Sequence, residues 1–298
     1  MKISRRDFLK TTALTSLYFA GFSAHSYANS KTKKNLVIIM LRGGMDGLCA
    51  IPVKGDKNFE KLRSKINLDR TLKLTSDFDL HPALKTFKSL WDQNLSAAVH
   101  ATNIPYTGRS HFDGQNLMES GGKIPYQEKT GWLGRGMKTA GLTGQGLALA
   151  LPMPLLIRGV PMNNNYFPVG RSLPYPATLE LIKQAYKEHD EKLLSDNLEI
   201  ILTRDFNNRS RDDAWILASS AGTELSKLDG PKVAVFEVDG FDTHAAQGAT
   251  DGAHADCLSD YDNIVRSLKS SMSEEAFNNT LVLTITEFGR TIKKNSSN

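Results

Sequence analysis

The chain has 298 residues, 40% hydrophobic and 23% charged, a balance that excludes a disordered chain, a collagen-like repeat and a multi-span membrane protein. Its 37 Lys and Arg against 32 Asp and Glu give a formal charge of +5. Residues 1–28 hold four of the basic residues against one acidic residue, so the remainder is near neutral and shows no basic face or stripe of the kind nucleic-acid binders carry.

Residues 1–28 read as an address. A basic stretch with Arg5-Arg6 precedes a charge-free apolar run from about Thr11 to Ala24, and Ser26-Tyr27-Ala28 has the small-x-small form of a cleavage site. This is a secretory signal, too short and too weakly apolar for a good membrane span. Ser4 to Lys10, SRRDFLK, matches the twin-arginine export signal. The expectations are a periplasmic destination, the twin-arginine translocase as partner during export, and no stable membrane span unless the signal is retained. That route carries folded proteins, often with a metal installed. The destination is oxidising and permits a Cys49–Cys257 disulfide, although two buried thiols are the commoner outcome. No CxxC occurs, which speaks against a cysteine zinc site.

Residues 29–34 are a polar linker, and 35–298 read as one domain. Asn35 to Leu41 is a continuous apolar run, the pattern of a strand buried on both faces; it breaks at Arg42-Gly-Gly-Met-Asp46-Gly. A polar stretch follows from about Lys54 to Asp79. His81 to Asp92 has helical spacing in Leu84, Phe87 and Trp91, and Leu95 to Ala101 reads as a second buried strand. Residues 121–175 look loop-like. Pro176 to Leu194 and Asp212 to Leu228 read as helices. Lys232 to Val238 is a buried strand, Leu258 to Met272 an amphipathic helix, and Asn279 to Thr286 a final strand. Strands alternating with helices predict an α/β fold with a mostly parallel sheet flanked by helices.

Polar residues with chemical potential follow each of the four expected strands: Asp46, then Ser110 to Asp113, then Asp242-Thr243-His244, then Glu287. In a parallel sheet the ligand site lies beyond the carboxyl ends of the strands, so the fold should gather these sets at one edge. Asp, Glu and His suit Zn, Mn, Mg or Ca better than Cu(I) or Fe–S, and a Ser beside a metal can be an activated nucleophile. Each has a plainer alternative. Asp46 and Ser110 suit helix N-caps, His111 suits a solvated neighbour of Ser110, Asp242 and His244 a local turn, and Arg290 the cover of a sheet edge. Asp239 is the runner-up to Asp242, while His81, His100, His189 and His254 read as structural. The G-x-G-x-x-G, P-loop and G-x-S-x-G spacings are absent, against dinucleotide, P-loop and standard α/β-hydrolase readings.

SRRDFLK, RGGMDGL at Arg42–Leu48, HPAL at His81–Leu84, GRSHFDGQ at Gly108–Gln115, GWLGR at Gly131–Arg135, FEVDGFDTHAAQG at Phe236–Gly248 and TEFGRT at Thr286–Thr291 together resemble a bacterial exported family known as domain of unknown function 1501. That family is placed in the alkaline phosphatase and sulfatase superfamily. The resemblance implies an alkaline-phosphatase-like sandwich with Asp46, Asp242, His244 and Glu287 as ligands of a divalent metal, Zn or Mn first and Ca or Mg next. It puts Ser110 in the place of the nucleophile, with Arg109 and Arg290 on the anion. No sulfatase C/S-x-P-x-R signature surrounds Ser110, which speaks against formylglycine chemistry. Phe288 stands where relatives carry the His of an Asp-His pair, which costs a ligand for a second metal. The family continues past this strand with a Thr-Asp-His-Gly motif, so the resemblance implies that the fold is incomplete at residue 298 and that this chain binds metal poorly and is inactive. The implied function is hydrolysis of phosphate or sulfate esters. The alternatives are a non-catalytic binding or assembly protein with a degraded metal site, and an enzyme acting on carbohydrate or envelope polymer.

Overall fold

The strand β1, Asn35–Leu41, lies between two parallel neighbours, β6 (Val233–Val238) and β7 (Thr280–Thr286). A strand covered on both faces must be apolar at successive positions rather than alternating, and Val37 to Leu41 are at most 1% exposed. Beyond β6 lie β4, Gly146–Leu149, and β5, Asn164–Asn165, giving the order β5-β4-β6-β1-β7 with every pairing parallel. The expected α/β class, with a mostly parallel central sheet flanked by helices, holds. The computed structural model describes residues 32–64, 66, 68–149, 153–165, 176–188 and 214–293. These fall into two compact units; residues 176–188 belong to one, and the sheet and its helices form the other. The expected signal peptide lies outside the described residues, as do residues 29–31 of the linker. No described helix is long and apolar enough to cross a membrane.

The remaining elements follow in chain order. Helices α1 (Gly47–Ala50) and α2 (Lys57–Leu62) precede a small antiparallel pair, β2 (Leu72–Lys73) and β3 (Asp79–Leu80). Then come α3 (Lys85–Asp92), α4 (His111–Ser120), α5 (Trp132–Thr139), α6 (Pro176–Glu188), α7 (Ala214–Leu225), α8 (Ala253–Ser271) and α9 (Glu274–Asn278). One sheet face packs Val37, Ile39, Leu41, Ala234 and Phe236 against α7 and α8. On α7 the small residues Ala218, Ala221 and Gly222 recur at helical spacing, and a Cβ on Gly222 would lie 2.0 Å from Ser271 Oγ of α8. The other face packs Ile38, Met40, Ala148 and Val235 against Met118 of α4, Leu133 and Met137 of α5, and the 3-10 turn Leu155–Ile157. Each fully buried Leu, Ile, Val or Met contributes about 1.5–3 kcal/mol.

Three sequence expectations are corrected. Leu95 to Ala101 is not a strand: Leu95 and Val99 are 53% and 78% exposed. Both hydrogen-bonding edges of β1 are taken by β6 and β7, and small residues such as Ala97 and Ala98 add little apolar surface. The stretch 121–175, expected to be loop, holds α5, β4 and β5. The four residues of β4, GLAL, are all buried, so they show no alternation to detect. The helix expected from His81 begins only at Lys85. His81 is held in the preceding turn, its Nδ1 accepting from Ala83 N at 3.1 Å and its Nε2 donating to Ala249 O at 2.9 Å. Leu84 cannot cap α3, and the buried Asp262 of α8 does so instead, accepting from Thr86 N at 2.9 Å and Phe87 N at 3.1 Å. Residues 189–194 and 212–213, at the ends of two expected helices, lie outside the described residues. Cys49 and Cys257 are free thiols.

Candidate metal centre at the carboxyl edge of the sheet

Because β6, β1 and β7 are adjacent, the segments leaving them meet at one edge. Arg42 to Asp46 follow β1, Asp239 to His244 follow β6, and Glu287 to Arg290 follow β7. The fit is tight. Gly43 has φ +111°, and a Cβ there would stand 2.2 Å from Asp242 N, so only glycine allows these two backbones to touch. The fourth set arrives on a helix. Ser110 is the N-cap of α4, its Oγ accepting from Asp113 N at 3.3 Å, and His111 opens the first turn.

His111 is the centre of the cluster. Its Nδ1 lies 2.9 Å from Glu287 Oε1 and its Nε2 lies 3.0 Å from Asp242 Oδ1. His244 Nε2 lies 3.0 Å from the same oxygen, and Arg290 Nη2 donates to it at 2.9 Å. Glu287 is fully buried. Burial pushes its carboxyl up, but hydrogen bonds from His111, Gln115 Nε2 and the Gly43 N–H outweigh this and hold it below the ordinary carboxylate range. Asp242 is likewise held low: burial opposes, and the Arg290 hydrogen bond and the neighbouring His111 and His244 prevail.

An ionised Glu287 can only accept, which assigns the proton on His111 to Nδ1. In the neutral ring Nε2 then presents a lone pair toward the Asp242 carboxylate. Two acceptors at this distance require a positive charge between them, either a second ring proton or a cation. His111, Asp242 and His244 offer ligand atoms all within 4.8 Å of one another. A carboxylate behind a ligating histidine is the common way to orient such a ring. The residues present therefore fit a divalent cation. Phe288, with its ring 4.7 Å from His111, packs against Gly44 and Gly114 and buttresses the imidazole.

Asp46 is placed differently. It is the N-cap of α1, and its carboxylate is held by Arg63, with Nη1 to Oδ2 at 2.6 Å and Nη2 to Oδ1 at 3.1 Å, and by Gln247 Nε2 at 2.8 Å. Burial raises its carboxyl, and Arg63 overrides this and holds it low. Beside it, burial and the Asp46 charge push the Cys49 thiol up to about 12, so Cys49 stays a protonated packing group. Of the expected ligands, Asp242 and His244 converge, Glu287 supports them from behind, and Asp46 pairs elsewhere. Arg290 touches the cluster, whereas Arg109 and Asp239 are exposed. His111 is the residue whose role the sequence obscures; its place inside GRSHFDGQ was the available signal.

His254, at the start of α8, is 1% exposed and neither ring nitrogen has a partner. Burial pulls it down to about 4, against the opposing charge of Asp46. The folded state therefore stays neutral at pH values where the unfolded chain takes up a proton. Stability from this residue is present above the ordinary histidine value, about 6.5, and is lost as pH falls toward 4, by about 3 kcal/mol in all. His254→Phe is expected to flatten urea-unfolding stability across that window; an unchanged slope would show that His254 is not its source.

The fold and this edge define an α/β protein with a His-Asp-His constellation beyond its central parallel strands. Residues 225–298 match a family described as protein of unknown function (DUF1501). That stretch contains the FEVDGFDTHAAQG and TEFGRT segments and agrees with the family that the motifs indicate. No curated protein and no solved structure matches the chain.

Proposed function

We propose that the chain is an exported, periplasmic metal-dependent hydrolase of phosphate or sulfate esters on an alkaline-phosphatase-like fold. One observation carries the reading: His111, Asp242 and His244 bring ligand atoms within 4.8 Å of one another, with His111 oriented by a buried carboxylate. Two imidazoles and a carboxylate suit Zn or Mn, with Ca or Mg next. A divalent ion held there supplies Lewis-acid polarisation of the ester oxygen and stabilises charge developing on the transferred group.

The chain's own residues do the rest. Glu287 keeps the His111 proton on Nδ1. Arg290 shares Nη2 between Phe241 O at 2.8 Å and Asp242, and its guanidinium holds the anion at the edge of the cluster, while the exposed Arg109 steers the anion in. Ser110 is the nucleophile. Its Oγ bonds to phosphorus or sulfur as the ester oxygen departs with the hydroxyl proton, and water then cleaves the Ser110 ester. Its place at the head of α4 puts the developing charge at the positive end of a helix.

The test is turnover of 4-nitrophenyl phosphate and sulfate by the full chain with Zn or Mn. Ser110→Ala is expected to lower turnover by orders of magnitude while leaving the bound metal in place. Bound metal without turnover would favour a second reading, a binding or assembly protein on the same fold. The closure of Asp46 by Arg63 supports that alternative, because it removes the first-strand carboxylate from the reacting groups.

A further inference from the structure

We propose that Asp46 serves this centre as a positioning residue and not as a ligand: with Arg63 it forms a fixed buried ion pair that, through Gln247 and Thr243, holds the turn carrying Asp242 and His244, and the centre accordingly takes one ion. This inference rests on the metal-centre reading above and fixes its stoichiometry.

The donors of Arg63 show why Asp46 is closed. Nη1 and Nη2 reach the two Asp46 oxygens, Nη1 also lies 3.4 Å from Cys49 Sγ, Nη2 donates to Thr291 O at 3.1 Å, and Nε donates to Ile292 O at 2.7 Å. Every guanidinium nitrogen is engaged, and the pair is buried, with side chains 2% and 3% exposed. A divalent ion at Asp46 would meet an uncompensated guanidinium within hydrogen-bonding distance of its ligand. A positive charge already neutralises the Asp46 carboxylate, built into the chain as the Arg63 guanidinium.

The pair is connected to the site by a continuous path. Gln247 Nε2 donates to Asp46 Oδ2 at 2.8 Å, which leaves Gln247 Oε1 facing the other way, where Thr243 Oγ1 donates to it at 3.0 Å. Thr243 sits between Asp242 and His244, so its hydroxyl sets the turn from which both ligands project. Thr243 N is also tied back to Phe241 O at 2.8 Å, and Phe241 O accepts from Arg290. The amide of Gln247 cannot flip without placing its carbonyl against the Asp46 carboxylate, two acceptors with no proton between them. The path therefore has one orientation, set by the Arg63–Asp46 charge. The spacing D-T-H-A-A-Q at Asp242 to Gln247 encodes it locally.

The experiment is titration of the metal-stripped full chain with Zn2+ alone, read by calorimetry, for the wild type, Thr243→Val, Thr243→Ser and Asp46→Asn. Amide exchange across residues 242–247 is measured in parallel without metal. The wild type should bind one ion. Thr243→Val, which keeps the shape and removes the hydroxyl, should weaken binding about 10–100-fold and speed exchange in the turn. Thr243→Ser, which restores the hydroxyl, should recover the affinity. Asp46→Asn should keep a stoichiometry of one. Two ions in the wild type, falling to one in Asp46→Asn, would overturn the inference and leave the hydrolase reading standing. No ion in the wild type would overturn the metal reading, and the path would then stand or fall on the exchange rates. Equal affinity and equal exchange in Thr243→Val would overturn the positioning role.

Discussion

Replacing Asp242 and His244 together with Ala is expected to strip the bound ion from the chain, lowering its affinity by more than the ~10–100-fold that a supporting residue alone is worth. These residues supply two of the three ligand atoms that converge within 4.8 Å, and no other His, Cys, Asp or Glu among the described residues forms such a group with His111. The loss should be local. Asp242 is half exposed at its side chain and His244 more so, and neither belongs to the apolar clusters on the sheet faces. With metal removed from both, the double variant should therefore unfold at close to the wild-type temperature, since a bound ion would itself stabilise the wild type. Mass spectrometry of metal content beside a thermal melt checks both statements. The resemblance implies weak retention by this chain; the assembled donors argue that the wild type retains an ion by itself. Glu287→Gln is the companion. It keeps the shape and an acceptor oxygen but loses the charge that favours the His111 Nδ1–H, so it should weaken binding without abolishing it. An ion retained in full by the Asp242→Ala/His244→Ala chain would place the metal elsewhere and remove the basis for the hydrolase reading.

The legible part of this fold was the part with long apolar runs. Asn35–Leu41 and Val233–Val238 are buried on both faces, which leaves a continuous hydrophobic signature, and the edge strand Thr280–Thr286 is a run of similar length and composition although its Leu281 and Leu283 are 64% and 41% exposed. They are also the three adjacent strands whose exits build the site, so the edge could be read from sequence. The four residues of β4 carry no period, and Leu95 to Ala101 carries an apolar composition without a place in the sheet. Neither outcome follows from composition; both depend on which edges are already paired. Within the site, Asp242, His244 and Glu287 were visible because each follows a strand. His111 was visible only as a member of the Ser110 to Asp113 set and not as a ligand, because it follows an N-cap on a helix, where a polar residue is ordinary. Arg63 was hidden more deeply. It ends a short surface-like helix, KNFEKL, among other charged residues, and only the tertiary fold turns it inward to Asp46. A buried cation cannot be told from a solvated one by local pattern.

Arg63→Met should be the most destabilising single replacement outside the apolar core, costing about 3–5 kcal/mol because it leaves an unpaired buried carboxylate. The methionine replaces the volume, so the effect is electrostatic rather than a cavity. Gln247 Nε2 and the Cys49 N–H remain on Asp46, and neither carries charge. The pH dependence supplies a sharper test than the magnitude. In the wild type Arg63 holds the Asp46 carboxyl below its unfolded value, so its contribution is present above the unfolded carboxylate value, about 3.9, and is lost as pH falls through the lower folded value. Without Arg63, burial dominates and lifts Asp46 above its unfolded value. The folded state then binds the proton more tightly than the unfolded one, and acidification stabilises it. The stability gap between wild type and Arg63→Met should therefore narrow as pH falls from about 7 toward 4. Urea unfolding of both chains at those two pH values measures it. Arg63→Met/Asp46→Leu removes both charges. It should recover part of the loss at neutral pH, though not all, since Thr291 O and Ile292 O lose their donors and α1 loses its cap. A gap that is small at neutral pH, or one that does not change with pH, would mean that Asp46 is compensated without Arg63. The buried ion pair would then no longer explain why the first-strand carboxylate stands apart from the metal centre.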